Sequence, residues 1–166
     1  VFVTDRYSTD LSILSMGKYE LALLDPEGGQ ITKIQGFASS NNINPQWSPD
    51  SKNLYFISDE TGIANLHKID IEHEKIEQIT NLFTGISGIA SLSPALSVAF
   101  QSGDLAFSVY EDGYYSLYSM DGSKNNGLIE GRVNFGDIQP AVLPPREKGG
   151  GGDFGTIEES SIWTSG

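Results

Sequence analysis

Both histidines lie close together, at positions 67 and 73, and are the first places to look for metal or proton chemistry. His73-Glu74-Lys75-Ile76-Glu77 opens like a zinc-protease helix, which needs a second imidazole one turn later on the same face. Glu77 occupies that position, and the segment reads as a charged turn running into a strand, so no metal site is expected. His67 falls in a strand pattern whose alternation turns it away from the side of Leu66 and Ile69. That predicts a surface or sheet-packing role rather than catalysis. The chain has 0 cysteines, which removes thiolate nucleophiles, disulfides and Cys-based zinc sites. No G-x-S-x-G elbow is present, and Gly85-Ile86-Ser87-Gly88 does not supply one. Gly149 to Gly155 is no phosphate loop, because no Lys-Ser/Thr follows it. Asp50, Asp59, Asp70, Asp112 and Asp121 are carboxylates but never form a D-x-D-x-D-G calcium loop. Their recurrence beside turns predicts local capping. The expectation is a non-enzyme with no cofactor and no metal.

One aromatic group remains a candidate. Tyr110, Tyr114, Tyr115 and Tyr118 crowd a short stretch. On a strand, Tyr114 and Tyr118 share a face, with Tyr110 near them across a hairpin. Such a group either packs sheets together or offers an aromatic contact surface to a protein partner.

Charge narrows the partner class. With 22 acidic against 10 basic residues the net charge is −12, which repels phosphate backbones and argues against nucleic acid. The same balance disfavours docking on anionic lipid through a basic patch. No apolar run approaches the ~18 residues of a membrane span, so no direct span is expected. Hydrophobic residues at 38%, charged residues at 19% and 19 glycines suit an all-β chain with many turns.

The elements that would position these residues recur. Leu21-Ala22-Leu23-Leu24-Asp25, Leu66-His67-Lys68-Ile69-Asp70 and Leu117-Tyr118-Ser119-Met120-Asp121 are versions of one strand, spaced 45 and then 51 residues apart. This period is the signature of a propeller blade of four strands. The middle copy predicts strands over 44–47, 53–58, 65–70 and 76–80, joined by tight turns. Ser48-Pro49 recurs 45 residues later as Ser93-Pro94, which places six extra residues within Ala95 to Asp104. Phe2 to Leu21 is eight residues longer than Tyr55 to Leu66, so an insertion falls within Arg6 to Lys18. The first copy lacks its first strand. Leu128-Ile129 would start a weaker fourth strand of the third copy, and Ile138 to Val142 would begin another blade.

The fold class predicted is therefore all-β, a partial β-propeller of about three consecutive four-stranded antiparallel blades over 1–143. A Pro/Gly-rich linker or extended tail follows over 144–166. Val1 already opens a strand-like run, so the natural start is expected upstream. Three blades are too few to close a ring, so further blades or a partner are expected to complete it.

The run Pro45-Gln46-Trp47-Ser48-Pro49-Asp50-Ser51, then Leu54 to Asp59, Gly62, Asn65-Leu66, Asp70 and Gln78-Ile79-Thr80 resembles the WD40-like repeat of TolB-type β-propellers. Ser51, Glu60 and His67 depart from that pattern. The stretch from Asn81 through Gly113 is similar to the propeller segment of large bacterial envelope proteins. The resemblance implies a periplasmic or envelope-associated protein. It also implies a non-catalytic interaction or scaffold module with protein partners, as an accessory part of a membrane-associated complex. Two alternatives stand beside it. One is the substrate-gating propeller of a larger peptidase or hydrolase, and the other is the propeller of an outer-membrane-barrel surface protein. The insertions are expected to carry the partner contacts.

Overall fold

The computed structural model describes residues 1–111 and 113–122. They form three antiparallel sheets, one per repeat. The first joins β1 (Phe2–Thr4), β2 (Glu20–Leu24) and β3 (Ile31–Lys33) in that order. The second joins β4 (Asn42–Trp47), β5 (Asn53–Ser58), β6 (Asn65–Asp70) and β7 (Lys75–Gln78). The third joins β8 (Leu96–Val98), β9 (Leu105–Glu111) and β10 (Tyr114–Met120). The chain is all-β and forms part of a propeller. Among the described residues only the second blade shows four strands. The expected strand at Leu128-Ile129, the blade beginning at Ile138 and the 144–166 tail lie outside them.

Each blade packs on the next through alternating side chains. Val3, Leu21, Leu23 and Ile34 of the first blade meet Leu54, Phe56, Ile69 and Ile76 of the second. The opposite face of the second blade sends Tyr55, Ile57, Leu66 and Ile79 against Leu96, Leu105, Phe107 and Val109 of the third. Leu54, Phe56, Leu66 and Ile69 are all fully buried. Burying each such side chain stabilises the fold by about 1.5–3 kcal/mol.

His67 belongs to this packing. It pairs across strands with Phe56 and shares a face with Ile69, not with Leu66. The alternation had put Ile69 and Leu66 on one side, but residues two apart share a strand face and residues three apart do not. His67 is buried, stacks on Phe56 at 5.6 Å and meets the edge of Phe37 at 5.0 Å. Its Nδ1 lies 3.0 Å from the Asn65 carbonyl. Burial holds the imidazole below its ordinary pKa. Tyr118 repeats the arrangement in the third blade, stacked on Phe107 at 6.0 Å.

Asparagines tie the blades at their junctions. Asn44 sits at a bulge in β4 with φ 52, where the register slips between Ile43 and Gln46. Its Oδ1 accepts from Ala95 N at 2.6 Å and Leu96 N at 3.0 Å, and its Nδ2 donates to Leu96 O at 3.2 Å. The left-handed backbone turns the side chain toward the next blade. Asn65 Oδ1 accepts from Thr80 Oγ1 and Leu82 N, fastening the chain as it leaves β7.

The insertions differ from expectation in two ways. Ala99 N donates to Asp104 O at 2.8 Å, as Ser48 N does to Asn53 O at 2.9 Å. The counterpart of the Ser48-Pro49 turn is therefore Ala99-Phe100, and the third blade's first hairpin has no extra residues. The extra length sits upstream, in the connector between β7 and β8. There Ser93 closes a local turn with Ala90, donating N to its carbonyl at 2.9 Å. In the first blade, Val3 pairs with Leu21 where Ile57 pairs with Leu66. Those spans are 18 and 9 residues, so the insertion is nine residues rather than eight.

Candidate partner surface at the connector end

Antiparallel strands leave two ends to each blade. The β1–β2, β5–β6 and β9–β10 hairpins share one end with the connectors that lead from blade to blade. Both insertions open here.

The connector between β7 and β8 is stitched to both its neighbours. Ile86 N donates to Ala64 O at 2.7 Å, and Ser87 N donates to Ser108 O at 3.1 Å. Gly85 makes the first contact possible. It has φ 75, and a Cβ there would lie 2.7 Å from the Ala64 carbonyl oxygen. Beneath this connector runs a groove of about 530 Å³. Ile43, Ile57 and Ile86 give it an apolar floor, and Ser87, Ser91 and Ser93 line it with hydroxyls. Asp59 stands at its edge, with Asn41 donating to it from N at 2.7 Å and from Nδ2 at 2.8 Å. That carboxylate fastens the chain entering β4 to the end of β5 in its own blade instead of capping its own turn. Ile89, which also lines the groove, is 90% exposed on the connector.

The β1–β2 insertion is a folded tip. Asp10 and Ser15 form a bridge, with reciprocal N–H···O bonds of 2.9 Å. Between them a single 3-10 turn, Leu11–Ile13, is capped by Asp10, whose Oδ1 accepts from Ser12 N at 2.9 Å. The hydrogen bonds from Ser12 hold that carboxyl below its usual range. At the base, Ser8 Oγ donates to Lys18 O at 2.8 Å and Gly17 N to Thr9 Oγ1 at 2.9 Å. Leu14 takes φ 53 to close the turn, which costs a non-glycine residue about 1–2 kcal/mol. Leu11, Ile13, Leu14 and Met16 all point to solvent, each between 71% and 83% exposed.

The tyrosines do not form one cluster. Tyr110 pairs with Tyr115, not with the Tyr114 side, because directly opposed residues of an antiparallel pair share a face. The Tyr110 and Tyr115 rings sit 5.0 Å apart on the outer face of the third blade. Tyr115 reaches back to the connector, its hydroxyl donating to Gly88 O at 2.9 Å. Tyr114 and Tyr118 share the opposite face, as the spacing requires. There Tyr118 donates its hydroxyl to Glu111 and lines a groove of about 430 Å³ with Phe83 and Met120.

The remaining charged residues are local. Asp50 Oδ1 accepts from Ser48 Oγ at 2.6 Å and Lys52 N at 3.1 Å. Asp70 Oδ1 accepts from Glu72 N and His73 N, and His73 Nδ1 lies 3.0 Å from its Oδ2. Those bonds, from Ser48 and from His73 respectively, hold both carboxyls below their usual range. Glu77 pairs with Lys75 at 2.8 Å and Lys68 at 3.0 Å. No cluster of metal-ligating side chains occurs among the described residues. Asp112 lies outside them.

Sequence spacing pointed to the insertion but not to its apolar tip. The signal was present: Leu11, Ile13, Leu14 and Met16 fall within a stretch that the strand pattern leaves as loop.

Comparison with solved structures agrees with the repeat geometry. TolB from Acinetobacter baumannii superposes with a TM-score of 0.53 and 25% identity, over 64% of this chain and 25% of that one. The fold is that of a TolB-like β-propeller. A putative TolB from Agrobacterium tumefaciens gives 0.53 and 19% identity over 66% of this chain and 39% of its own. A puromycin-hydrolyzing peptidase from Mycobacterium tuberculosis gives 0.50 and 18% over 66% and 17%. The chain thus spans well under half the length of each of these proteins. No family model and no curated protein matches the sequence. No helix among the described residues is long and apolar enough to cross a membrane.

Proposed function

We propose that this chain is part of a non-catalytic propeller that binds a protein partner through its connector end, in the bacterial envelope. The observation that carries the reading is the concentration of exposed apolar side chains there. Ile89 and Leu92 on the groove, and Leu11, Ile13, Leu14 and Met16 on the β1–β2 tip at the same end, are each at least 50% exposed. Exposed apolar side chains on loops held by rigid sheets mark a surface for a partner. The likeness to TolB at 25% identity supports the envelope location and an accessory role beside a membrane-associated complex. The likeness to a peptidase leaves the gating propeller of a larger hydrolase as the competing reading.

The test is positional photocrosslinking in the cells that produce the full-length protein. A photoreactive residue at Leu92, on the connector, should give discrete protein adducts. The same residue at Phe100, 84% exposed at the opposite end, should give none. Equal adducts from both ends, or none from Leu92, would refute a partner surface at the connector end. Fractionation of the same cells tests the location, and a cytoplasmic pool alone would refute it.

A further inference from the structure

We infer that the β1–β2 tip is a knob that seats in an apolar pocket of a protein partner whose rim is acidic. This rests on reading the connector end as a partner surface, and it adds what that partner must look like. The tip is convex and small: Leu11, Ile13, Leu14 and Met16 project from six residues, each between 71% and 83% exposed. Four large apolar side chains held in water have no stabilising role in the isolated blade. Their gain comes only when something closes over them.

The tip is also pre-organised. The Asp10–Ser15 bridge, the Asp10 cap and the bonds at the Ser8 and Thr9 base fix its shape before any partner arrives. Ordering costs that a flexible loop would incur on binding are therefore already met by the fold. Leu14 is held at φ 53, a conformation a leucine leaves when nothing requires it. Blade two makes the corresponding turn, Asp59 to Ala64, without any such projection. The blade itself does not need these nine residues.

Charge selects the partner's chemistry. Residues 7–17 contain no Lys or Arg, and the single carboxylate, Asp10, is occupied by Ser12 N and Oγ. Arg6 and Lys18 flank the tip at its base and are both exposed. An apolar centre with a cationic collar complements an apolar pocket bordered by carboxylates, the arrangement of a desolvated core and polar rim. A lipid surface fits less well. The chain as a whole carries −12, which the negative surface of an anionic membrane repels.

Crosslinking from within the tip tests this in the full-length protein in its own cells. A photoreactive residue at Leu14 should give a discrete protein adduct. The yield should fall at least tenfold in Leu11→Ser/Ile13→Ser, and again in the independent pair Arg6→Glu/Lys18→Glu. Both pairs sit on exposed positions, and an unchanged thermal transition verifies that they fold. An adduct insensitive to both pairs overturns the knob, as does one formed only with a second copy of the chain. Flotation with 3:1 phosphatidylethanolamine:phosphatidylglycerol vesicles should leave the protein unbound, and tip-dependent flotation overturns a protein pocket in favour of lipid. Adducts from Leu92 without any from Leu14 sink the knob while the partner surface stands. No adducts from either position remove both.

Discussion

Leu66 and Leu117 occupy the same place in successive blades, yet one is 0% exposed and the other 85%. Leu66 faces the third blade, where Leu105, Phe107 and Val109 belong to the same packed cluster. Leu117 faces outward beside Tyr110 and Tyr115. Truncating a buried leucine to alanine removes its transfer energy and leaves a cavity, together about 3 kcal/mol. The same change at a solvent-facing position is worth less than about 0.5 kcal/mol. With a urea m-value of about 2 kcal/mol/M, Leu66→Ala should lower the unfolding midpoint of this chain by roughly 1.5 M, and Leu117→Ala by less than about 0.3 M. Circular dichroism against urea reads both. Equal losses would refute the face assignment, since they would require Leu117 to be covered. In any longer polypeptide that seats another blade on this face, Leu117→Ala should become as costly as Leu66→Ala, which makes the pair an assay for ring completion.

Three further outcomes follow from polar side chains. Burial keeps His67 below its ordinary pKa, so the unfolded chain takes up a proton near pH 6.5 that the folded chain accepts only at lower pH. Stability should therefore fall as the pH drops from about 7 toward 5, and His67→Phe should flatten that part of the curve. An unchanged slope in urea titrations would dismiss the role of the imidazole. The carboxyls of Asp50 and Asp70 are held low, so their contribution is present above about pH 4 and lost only below it, in a separate window. At Asn44, alanine should be worse than glycine. Both lose the three bonds to Ala95 and Leu96, but alanine must also hold φ 52, a further cost of about 1–2 kcal/mol. Thermal unfolding that ranks glycine below alanine would show that the bulge relaxes.

The blades were legible because strand alternation is strict. Asn53–Ser58 and Asn65–Asp70 are strands over the residues their apolar spacing marks out. The connector insertion was misplaced because a Ser-Pro pair recurs 45 residues on by coincidence. The turn that is truly equivalent, Ala99 to Asp104, keeps the backbone hydrogen bond but draws its serine–aspartate contact from Ser102 and Asp104, without a Ser-Pro pair. The tyrosines were misgrouped for a related reason. Which of Tyr114 and Tyr115 opposes Tyr110 depends on a two-residue hairpin loop, and shifting the register by one residue exchanges the faces. Asn44 was invisible as a tie between blades. Its role depends on a left-handed backbone just before a proline, where sequence rules favour extended structure.

Among the described residues, each tie between blades joins a blade only to its neighbour. Stability in such an array is the sum of each unit's own worth and its contacts with the units beside it. Blade two has a packed neighbour on both faces, whereas blades one and three have one each among the described residues. The tip rises from blade one, and the connector groove lies between blades two and three. A partner that held both would act as a splint along the whole row. Its grip would be felt least in the middle sheet, which is already clamped, and most in the outer two, whose loosening it would prevent.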